Sequence, residues 1–463
     1  MKKIGIIGGG FSGTMLAVHL VEKADSPLEI ILINEKQTLH RGIAYSPYSD
    51  KHLLNVVASK MSAFAERENH FLDWVIDNTH ILNKDKSLIA GSFLPRKIYG
   101  DYLCAIWENT VKTAKQKGIS LKVENAEVTQ LEKAGERVDL SLSGGKVLRV
   151  DYCVIASGNL LPGNPTIKNK SFFTSPNYFQ NPWRLASVQN LNNDLPVLII
   201  GNGLTMVDTV LGLLENGFKG EIYSISPNGF NILPHRHSGE KYTHLVEELH
   251  DDLTLLDLVK LVNKHIKRVR TYGISAEPVI DSMRPYTQTI WKRFTVKEKK
   301  LFMARLRHLW GVARHRTPLH THDSIQQLRI ENKLMINAGK IIAIAEDASG
   351  ITVSYFDKKD HTARQLKVGR VINCTGPQTN LEHIDNHFLK TCLNQGMIKQ
   401  DALKLGISTN TDTFQVISAT GEPHQNIFTL GSTLKGELWE TTAVNELRVQ
   451  TERLAERLVD LES

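Results

Sequence analysis

Gly8, Gly10 and Gly13 stand in the spacing G-x-G-x-x-G, directly after the apolar run Ile4–Ile7. The chemistry that spacing serves is the cradling of a diphosphate. Gly8 permits a tight turn. Gly10 lets the backbone approach a pyrophosphate with no Cβ in the way, and Gly13 lets the next helix pack close to the strand. Phe11 and Ser12 lie between them as further candidate contacts, and Met15 to Val21 reads as that helix. Its N-terminus presents about half a positive charge to the ligand. Glu35 lies 22 residues past Gly13, closing a second apolar run over 29–34. A carboxylate there accepts hydrogen bonds from an adenosine ribose. A chance turn is the alternative, but strand, turn, helix, strand and acid all occur in order.

The plan recurs. Val197–Ile200 is followed by Gly201-Asn202-Gly203-Leu204-Thr205-Met206, a helix through about Leu214 and a strand over Glu221–Ile225. Gly201, Gly203 and Thr205 are candidate contacts of a second dinucleotide. Met206 holds the third glycine position, so this copy is degenerate. Neither acid nor arginine follows its second strand, where Ser226-Pro227-Asn228 stands, so NADH and NADPH are not distinguished. The reading is a nicotinamide coenzyme, and the alternative is a second unit that keeps its shape without the ligand.

A longer echo runs behind both turns. Residues 121–158 and 334–376 each read as a three-stranded antiparallel meander feeding a buried strand. One strand ends in Ala156-Ser157-Gly158 and the other in Cys374-Thr375-Gly376. Ser157, Gly158 and Gly376 therefore sit where the chain leaves a sheet beside a nucleotide. The expected fold class is α/β, with two Rossmann-like three-layer domains carrying β-meanders. The second domain, 195–376, is inserted in the first, which spans 1–165 and returns over 377–463. A helical insertion is expected at about 240–325, with Leu253, Leu256, Leu258, Leu261 and Val262 on one face.

Other chemistries are poorly supported. The four cysteines, Cys104, Cys153, Cys374 and Cys392, form no C-x-x-C, which closes the dithiol-reductase route. They read as reduced, mostly buried thiols of a cytoplasmic protein. His235-Arg236-His237 and His320-Thr321-His322 have H-x-H spacing with no third ligand nearby, so no metal site is expected. No uninterrupted apolar stretch is long enough to span a membrane. Lys2 and Lys3 before Ile4–Val21 resemble a signal peptide, but the glycines and the lack of a small-residue cleavage site argue against export. The net charge is +7, and residues 260–316 hold fifteen Lys or Arg against three acids. Such a block attracts an anionic small molecule, a cofactor phosphate or an acidic partner, or is simply a solvated helix surface. No nucleic-acid module accompanies it.

Two such units with their meanders and strand ends resemble the two-dinucleotide-binding-domain flavoproteins. That superfamily includes flavin-containing monooxygenases, N-hydroxylases and pyridine-nucleotide reductases. Gly42-Ile43-Ala44-Tyr45, His52-Leu53-Leu54-Asn55, Pro95-Arg96 with Tyr99-Gly100, Gly203-Leu204-Thr205-Met206, Arg284-Pro285, Arg314-His315-Arg316 and Trp439-Glu440-Thr441-Thr442-Ala443 are similar to the FAD/NAD(P)-binding proteins of the YdhS type. The resemblance implies FAD on the first turn and NAD(P)H on the second. It also implies a late strand over 426–430, with Gly431 beside the ribityl chain and Ser432 where the superfamily has an aspartate. Gly436 to Thr442 would then open the last helix, with Trp439 and Thr441 facing the flavin pyrimidine.

The segment from Asn55 through Lys60 and Met61 to Phe64 is similar to one that lies over the isoalloxazine in flavin-containing monooxygenases. The resemblance makes Asn55 the candidate catalytic residue, hydrogen-bonding near flavin N5. The monooxygenase fingerprint F-x-G-x-x-x-H-x-x-x-(F/Y) is absent between Gly158 and Gly201, so an ordinary member of that class is not expected. Arg41, Arg96 and Tyr99 are further candidate polar contacts, and His315 between Arg314 and Arg316 is a candidate anion contact. The function expected is an FAD-dependent oxidoreductase reduced by NAD(P)H, with oxygen as one candidate acceptor. A flavin-binding sensor or adaptor that docks an acidic partner through the basic insertion is the rival. FAD-supported reduction of a redox partner protein is the third possibility.

Overall fold

The computed structural model describes residues 1–35, 38–78, 85–236, 241–348 and 350–461. Along the chain, β1 (Lys2–Ile7), α1 (Phe11–Lys23) and β2 (Leu28–Ile33) form the first unit, followed by α2 (Arg96–Gln116) and β3 (Ser120–Glu124). A meander follows, of β4 (Val128–Ala134), β5 (Arg137–Leu142) and β6 (Val147–Val150), and it feeds β7 (Tyr152–Ile155). The second unit contains β8 (Tyr178–Phe179), β9 (Val197–Ile200), α3 (Leu204–Glu215) and β10 (Ile222–Ser226). Its insertion includes α4 (Leu255–Arg270), α5 (Val296–Arg305), α6 (Arg307–Arg314) and α7 (Leu319–Ile330). Next come β11 (Leu334–Asp347), β12 (Gly350–Asp357), β13 (Thr362–Val368) and β14 (Arg370–Asn373). The chain closes with β15 (Gln415–Ile417), β16 (Pro423–Thr429) and α8 (Val444–Asp460).

The first sheet has strand order β15-β16-β7-β1-β2-β3, and β1, β2, β3, β7 and β16 run parallel. Its inner strands are continuous apolar runs because both faces are covered. One face packs on α1 and α8, with Leu16, Leu20, Leu454 and Leu458 fully buried. The β4-β5-β6 meander covers the other, with Leu140 and Val150 fully buried. The alternating burial along β5 marks a one-sided sheet. β15 and β16 are late in the chain yet extend the first sheet beside β7.

The second sheet has order β13-β12-β11-β10-β9-β14-β8. Here the meander is not separate. The first residues of β11 pair parallel with β10, from Leu334 opposite Ile222 to Ala338 opposite Ser226. From Gly339 onward the same strand pairs antiparallel with β12. In the first unit that task is divided, since β3 stops at Glu124 and β4 begins a new sheet at Val128.

Two expectations need correction. The last helix does not open at Gly436–Thr442. A short turn of helix spans Lys435–Leu438, Trp439 breaks it at φ +61°, and α8 starts only after the extended Ala443. The apolar face of α4 is also offset. Thr254 caps the helix by accepting from the Asp257 N–H at 3.2 Å, so the buried stripe runs Leu255, Leu258, His265 and Val269. Leu256 points outward at 60 % exposure, and Leu253 precedes the helix.

Candidate functional site

The registers place Ile7, Ile155 and Thr429 level at the carboxyl ends of β1, β7 and β16. In open parallel sheets that edge is where ligands bind. Gly8 follows β1 at φ +106°, with its N–H donating to the Ile33 carbonyl at 2.9 Å. A Cβ at Gly8 would collide with the Ala156 carbonyl, and one at Gly13 with the Gly8 carbonyl. The third glycine is thus a steric requirement of a helix that starts this close to its strand. Phe11 is buried, Ser12 half-buried, and α1 opens at Gly10 without any side-chain cap. That leaves first-turn amides for an external acceptor.

Residues outside the glycine spacing lock this turn. Asn34 accepts from the Gly9 N–H at 2.9 Å. His40 donates its N–H to the Gly9 carbonyl at 2.6 Å and stacks on Trp107 at 4.4 Å. Burial, with the Arg41 charge beside it, pulls the His40 imidazole down to about 4. Gly42, at φ +59°, lies close over Gly10, 3.4 Å from where a Gly10 Cβ would stand. Glu35 is exposed just past β2. Arg41 pairs with Asp101 at 2.5 Å. Tyr99 is fully buried in an aromatic cluster with Phe11, Tyr45, Phe71 and Tyr102, so it packs the core.

The C-terminal return reaches the same edge. Gly431, at φ +81°, sits where a Cβ would lie 3.2 Å from the Ser12 hydroxyl. Gln450 on α8 accepts from the Gly431 N–H at 3.0 Å and donates to the Thr441 hydroxyl at 2.8 Å. Thr441 donates in turn to the Gly431 carbonyl at 2.9 Å. Thr441 is therefore a brace for Gly431, held by a glutamine on the buried face of an amphipathic helix. Ser157 and Ser432 both carry buried hydroxyl oxygens with no partner among the described residues. Orphaned polar atoms beside a glycine cradle are what a bound dinucleotide would satisfy. Gly158 turns the chain away at φ +66° with open space around it. Trp439 also carries a buried donor, Nε1, with no partner among the described residues. Its ring stacks on Trp291 at 5.2 Å and meets Phe302 edge-on at 5.1 Å, which anchors the helical insertion.

Asn55 lies between the two units. It lines a cleft with Lys51, Arg96, Leu204, Asp208 and Thr317. Its carbonyl accepts from His235 Nε2 at 3.0 Å, and His235 Nδ1 faces Glu277 at 3.3 Å. Arg316 is buried between Glu277 and Asp281. Burial first, then the Arg316 charge, lowers the His235 pKa. Arg96 joins the units, donating to the Leu53 carbonyl at 3.0 Å and pairing with Asp208 at 3.0 Å. His237 lies outside the described residues, and among the described residues no cluster of three His, Cys, Asp or Glu side chains could hold a metal.

The second turn repeats the first two glycine positions. Gly201 has φ +109°, and a Cβ there would lie 2.5 Å from the Cys374 carbonyl. Gly203 has open space where its Cβ would be, and Gly376, at φ +86°, is likewise unobstructed. The Thr205 carbonyl accepts from Thr209 at 2.8 Å within α3. Met206 is buried in the core behind the turn. Burial pushes the Cys374 thiol up to about 12, so it is an inert neighbour of the Thr209 hydroxyl.

A cationic cluster closes the space between insertion and C-terminal return. Arg314 is 11 % exposed, with its Nε ion-paired to Glu440 at 4.0 Å but without a hydrogen-bond partner among the described residues. Lys435 lies over the Trp439 ring at 5.5 Å, and burial, with the Arg307 charge behind it, depresses its pKa. Glu440 accepts from Trp310 Nε1 at 2.7 Å. His315 ends α6 on the exposed side, with Nδ1 3.1 Å from the Gly311 carbonyl. Sequence reasoning missed Asn34, His40, Gln450 and Lys435, and weighed His235 only as a metal ligand. Only Gln450 had a local signal, as a polar residue on an apolar helix face.

Residues 5–160 match a family model described as FAD-NAD(P)-binding. No curated protein sequence matches the chain. Among solved structures, the chain is similar to L-lysine 6-monooxygenase of Pseudomonas syringae, with TM-score 0.65, 16% identity and 99% and 98% of the two chains covered. The ornithine N-hydroxylase of Kutzneria sp. 744, in a complex with FADred, NADP+ and L-orn, gives TM-score 0.64 at 12% identity, covering 98% of each chain. The FAD-bound cadaverine monooxygenase of Erwinia amylovora gives 0.65 at 12%, covering 98% and 94%. At such identities the likeness shows the fold, which is that of the two-dinucleotide-binding flavoproteins.

Proposed function

We propose that this chain is an FAD-dependent oxidoreductase whose flavin is reduced by NAD(P)H and which activates oxygen in the manner of a monooxygenase. The observation that carries this is the levelled edge of β1, β7 and β16. A glycine turn that excludes side chains meets there with two buried hydroxyls, Ser157 and Ser432, that have no partner among the described residues. FAD, when bound, carries electrons from NAD(P)H to an acceptor. Residues 1–165 and 377–463 form the FAD-binding domain, and 195–376 the coenzyme domain with its helical insertion.

Gly8, Gly10, Phe11, Ser12 and Gly13 hold the diphosphate, and Glu35 the adenosine ribose. Ser157, Gly158, Gly431 and Ser432 hold the flavin side, with Thr441 bracing Gly431. Gly201, Gly203, Thr205 and Gly376 receive the coenzyme. Asn55 faces the reacting edge of the flavin, its carbonyl fixed by His235. The substrate is a small anion held by Arg314 and Lys435, whose charges exceed that of their shared neighbour Glu440. A cytoplasmic place fits four unpaired cysteines, and among the described residues no helix is long and apolar enough to cross a membrane.

Anaerobic mixing of the yellow protein with NADPH and then NADH tests the reading: one coenzyme should bleach the flavin absorbance. A flavin that neither coenzyme bleaches would overturn it. That result would favour an adaptor, or a reductase of another protein, which docks an acidic partner. Lys267, Arg268 and Arg270 on α4 would serve such docking, since none has a salt-bridge partner among the described residues.

A further inference from the structure

In a Rossmann-like unit the group at the end of the second strand reads the adenosine ribose. A carboxylate there takes the 2′-hydroxyl and a cation takes a 2′-phosphate. The first unit has Glu35 at that place. The second has only Ser226-Pro227-Asn228 in sequence, but its tertiary structure supplies a charge. Lys358, in the turn between β12 and β13, donates from Nζ to the Pro227 carbonyl at 2.6 Å. Its own N–H, bonded to the Ala338 carbonyl at 2.9 Å, fixes the turn against the sheet.

The acids of that turn do not neutralise it. Asp357 and Asp360 both pair with Arg364, and Asp357 also accepts from the Lys359 N–H at 2.8 Å. Lys358 has no carboxylate partner among the described residues. An ammonium has three donors, and the carbonyl takes one. Arg307 and His308 open α6 nearby, the guanidinium 3.1 Å from His308 Nε2. Neither has a carboxylate partner among the described residues. Besides burial, the groups that hold the His308 imidazole low are Arg307 and Lys358, with no acid opposing them.

We propose that the second unit selects NADPH over NADH, with Lys358 pairing the 2′-phosphate and Arg307 adding a second charge beside it. This rests on the reading that the unit receives a nicotinamide coenzyme. Titration calorimetry of the FAD-loaded protein with NADP+, NAD+ and 2′,5′-ADP tests it without turnover. NADP+ should bind at least about tenfold more tightly than NAD+, the effect of one charge-assisted contact. 2′,5′-ADP should compete with NADP+.

Lys358→Gln keeps a donor for Pro227 and removes the charge. It should weaken NADP+ about tenfold while leaving NAD+ within about twofold. Adding Arg307→Gln should erase the remaining preference. Equal affinities in the unmutated protein, or a preference that Lys358→Gln leaves undiminished, would overturn the proposal and leave the coenzyme reading intact. Binding of neither NADP+ nor NAD+ would overturn both.

Discussion

In both units the first glycine of the turn sits at nearly the same backbone angle, φ +106° at Gly8 and +109° at Gly201. Each leans on a carbonyl at the end of the meander-fed strand, Ala156 in one and Cys374 in the other. They part at the third position. Gly13 has no room for a side chain, whereas Met206 fills the core. The helices open differently to match. The Thr14 N–H bonds the Gly10 carbonyl at 3.0 Å, a full helical turn. The Gly203 carbonyl accepts from the Met206 N–H at 3.0 Å as well as from the Val207 N–H at 3.4 Å, so a three-residue closure is added to the full turn. Covering differs too. Gly42 and His40 lie against the first turn, while Gly203 meets open space. A covered turn suits a resident cofactor, and an open one suits a coenzyme that enters and leaves.

The sharpest way to break this contrast is one methyl group at each turn. Gly13→Ala should cost about 3 kcal/mol or more and abolish FAD retention, because the new Cβ meets a backbone carbonyl that cannot yield. Gly203→Ala should change stability by less than about 0.5 kcal/mol. Thermal unfolding and bound flavin absorbance measure both. Equal effects would dissolve the distinction. Met206→Gly asks whether the second turn is merely a damaged copy of the first. It should destabilise by about 3 kcal/mol through an unfilled cavity, without tightening NADP+ binding. Tighter binding would mean that Met206 is a defect and not a core residue.

The covering of the first turn has a pH signature. His40 is neutral in the fold with its pKa near 4, whereas unfolded histidine titrates near 6.5. A depressed histidine loses stability as pH falls, because the unfolded chain takes up the proton first. The loss starts near pH 6.5, grows towards about 4, and is absent above neutrality. It should reach the order of 2 kcal/mol near pH 4.5. His40→Asn, which tolerates the left-handed backbone, should flatten that part of a denaturant-derived stability profile. An unchanged profile would place the His40 ring in water.

The smallest effect concerns how the units are joined. A double-mutant cycle of Arg96→Ala and Asp208→Ala should show coupling of about 1 kcal/mol. Additive effects would mean that the cleft at Asn55 is not held by this pair.

Much of the fold was legible because it is written locally. Continuous apolar strands, glycine turns and alternating meanders each follow from a few neighbouring residues. The errors came where distant packing decides. Trp439 reads as part of a helix start, but its ring is claimed by Trp291 and Phe302, and its backbone turns left-handed to reach them. Leu256 looks like core until Thr254 fixes where the helix begins. Of the candidate site, the glycines and the strand-end serines are visible in the sequence. The side chains that close it are not. His235 reaches Asn55 across 180 residues, and Lys358 reaches Pro227 across 131. No spacing rule encodes such contacts.

The central claim is that FAD resides on the first turn. The visible absorption spectrum of the purified protein, with quantification of the flavin released on denaturation, tests it most directly. A yellow protein releasing equimolar FAD is the predicted result, with retention weakened by Glu35→Ala. A colourless chain that takes up no FAD while still binding NADP+ would contradict it.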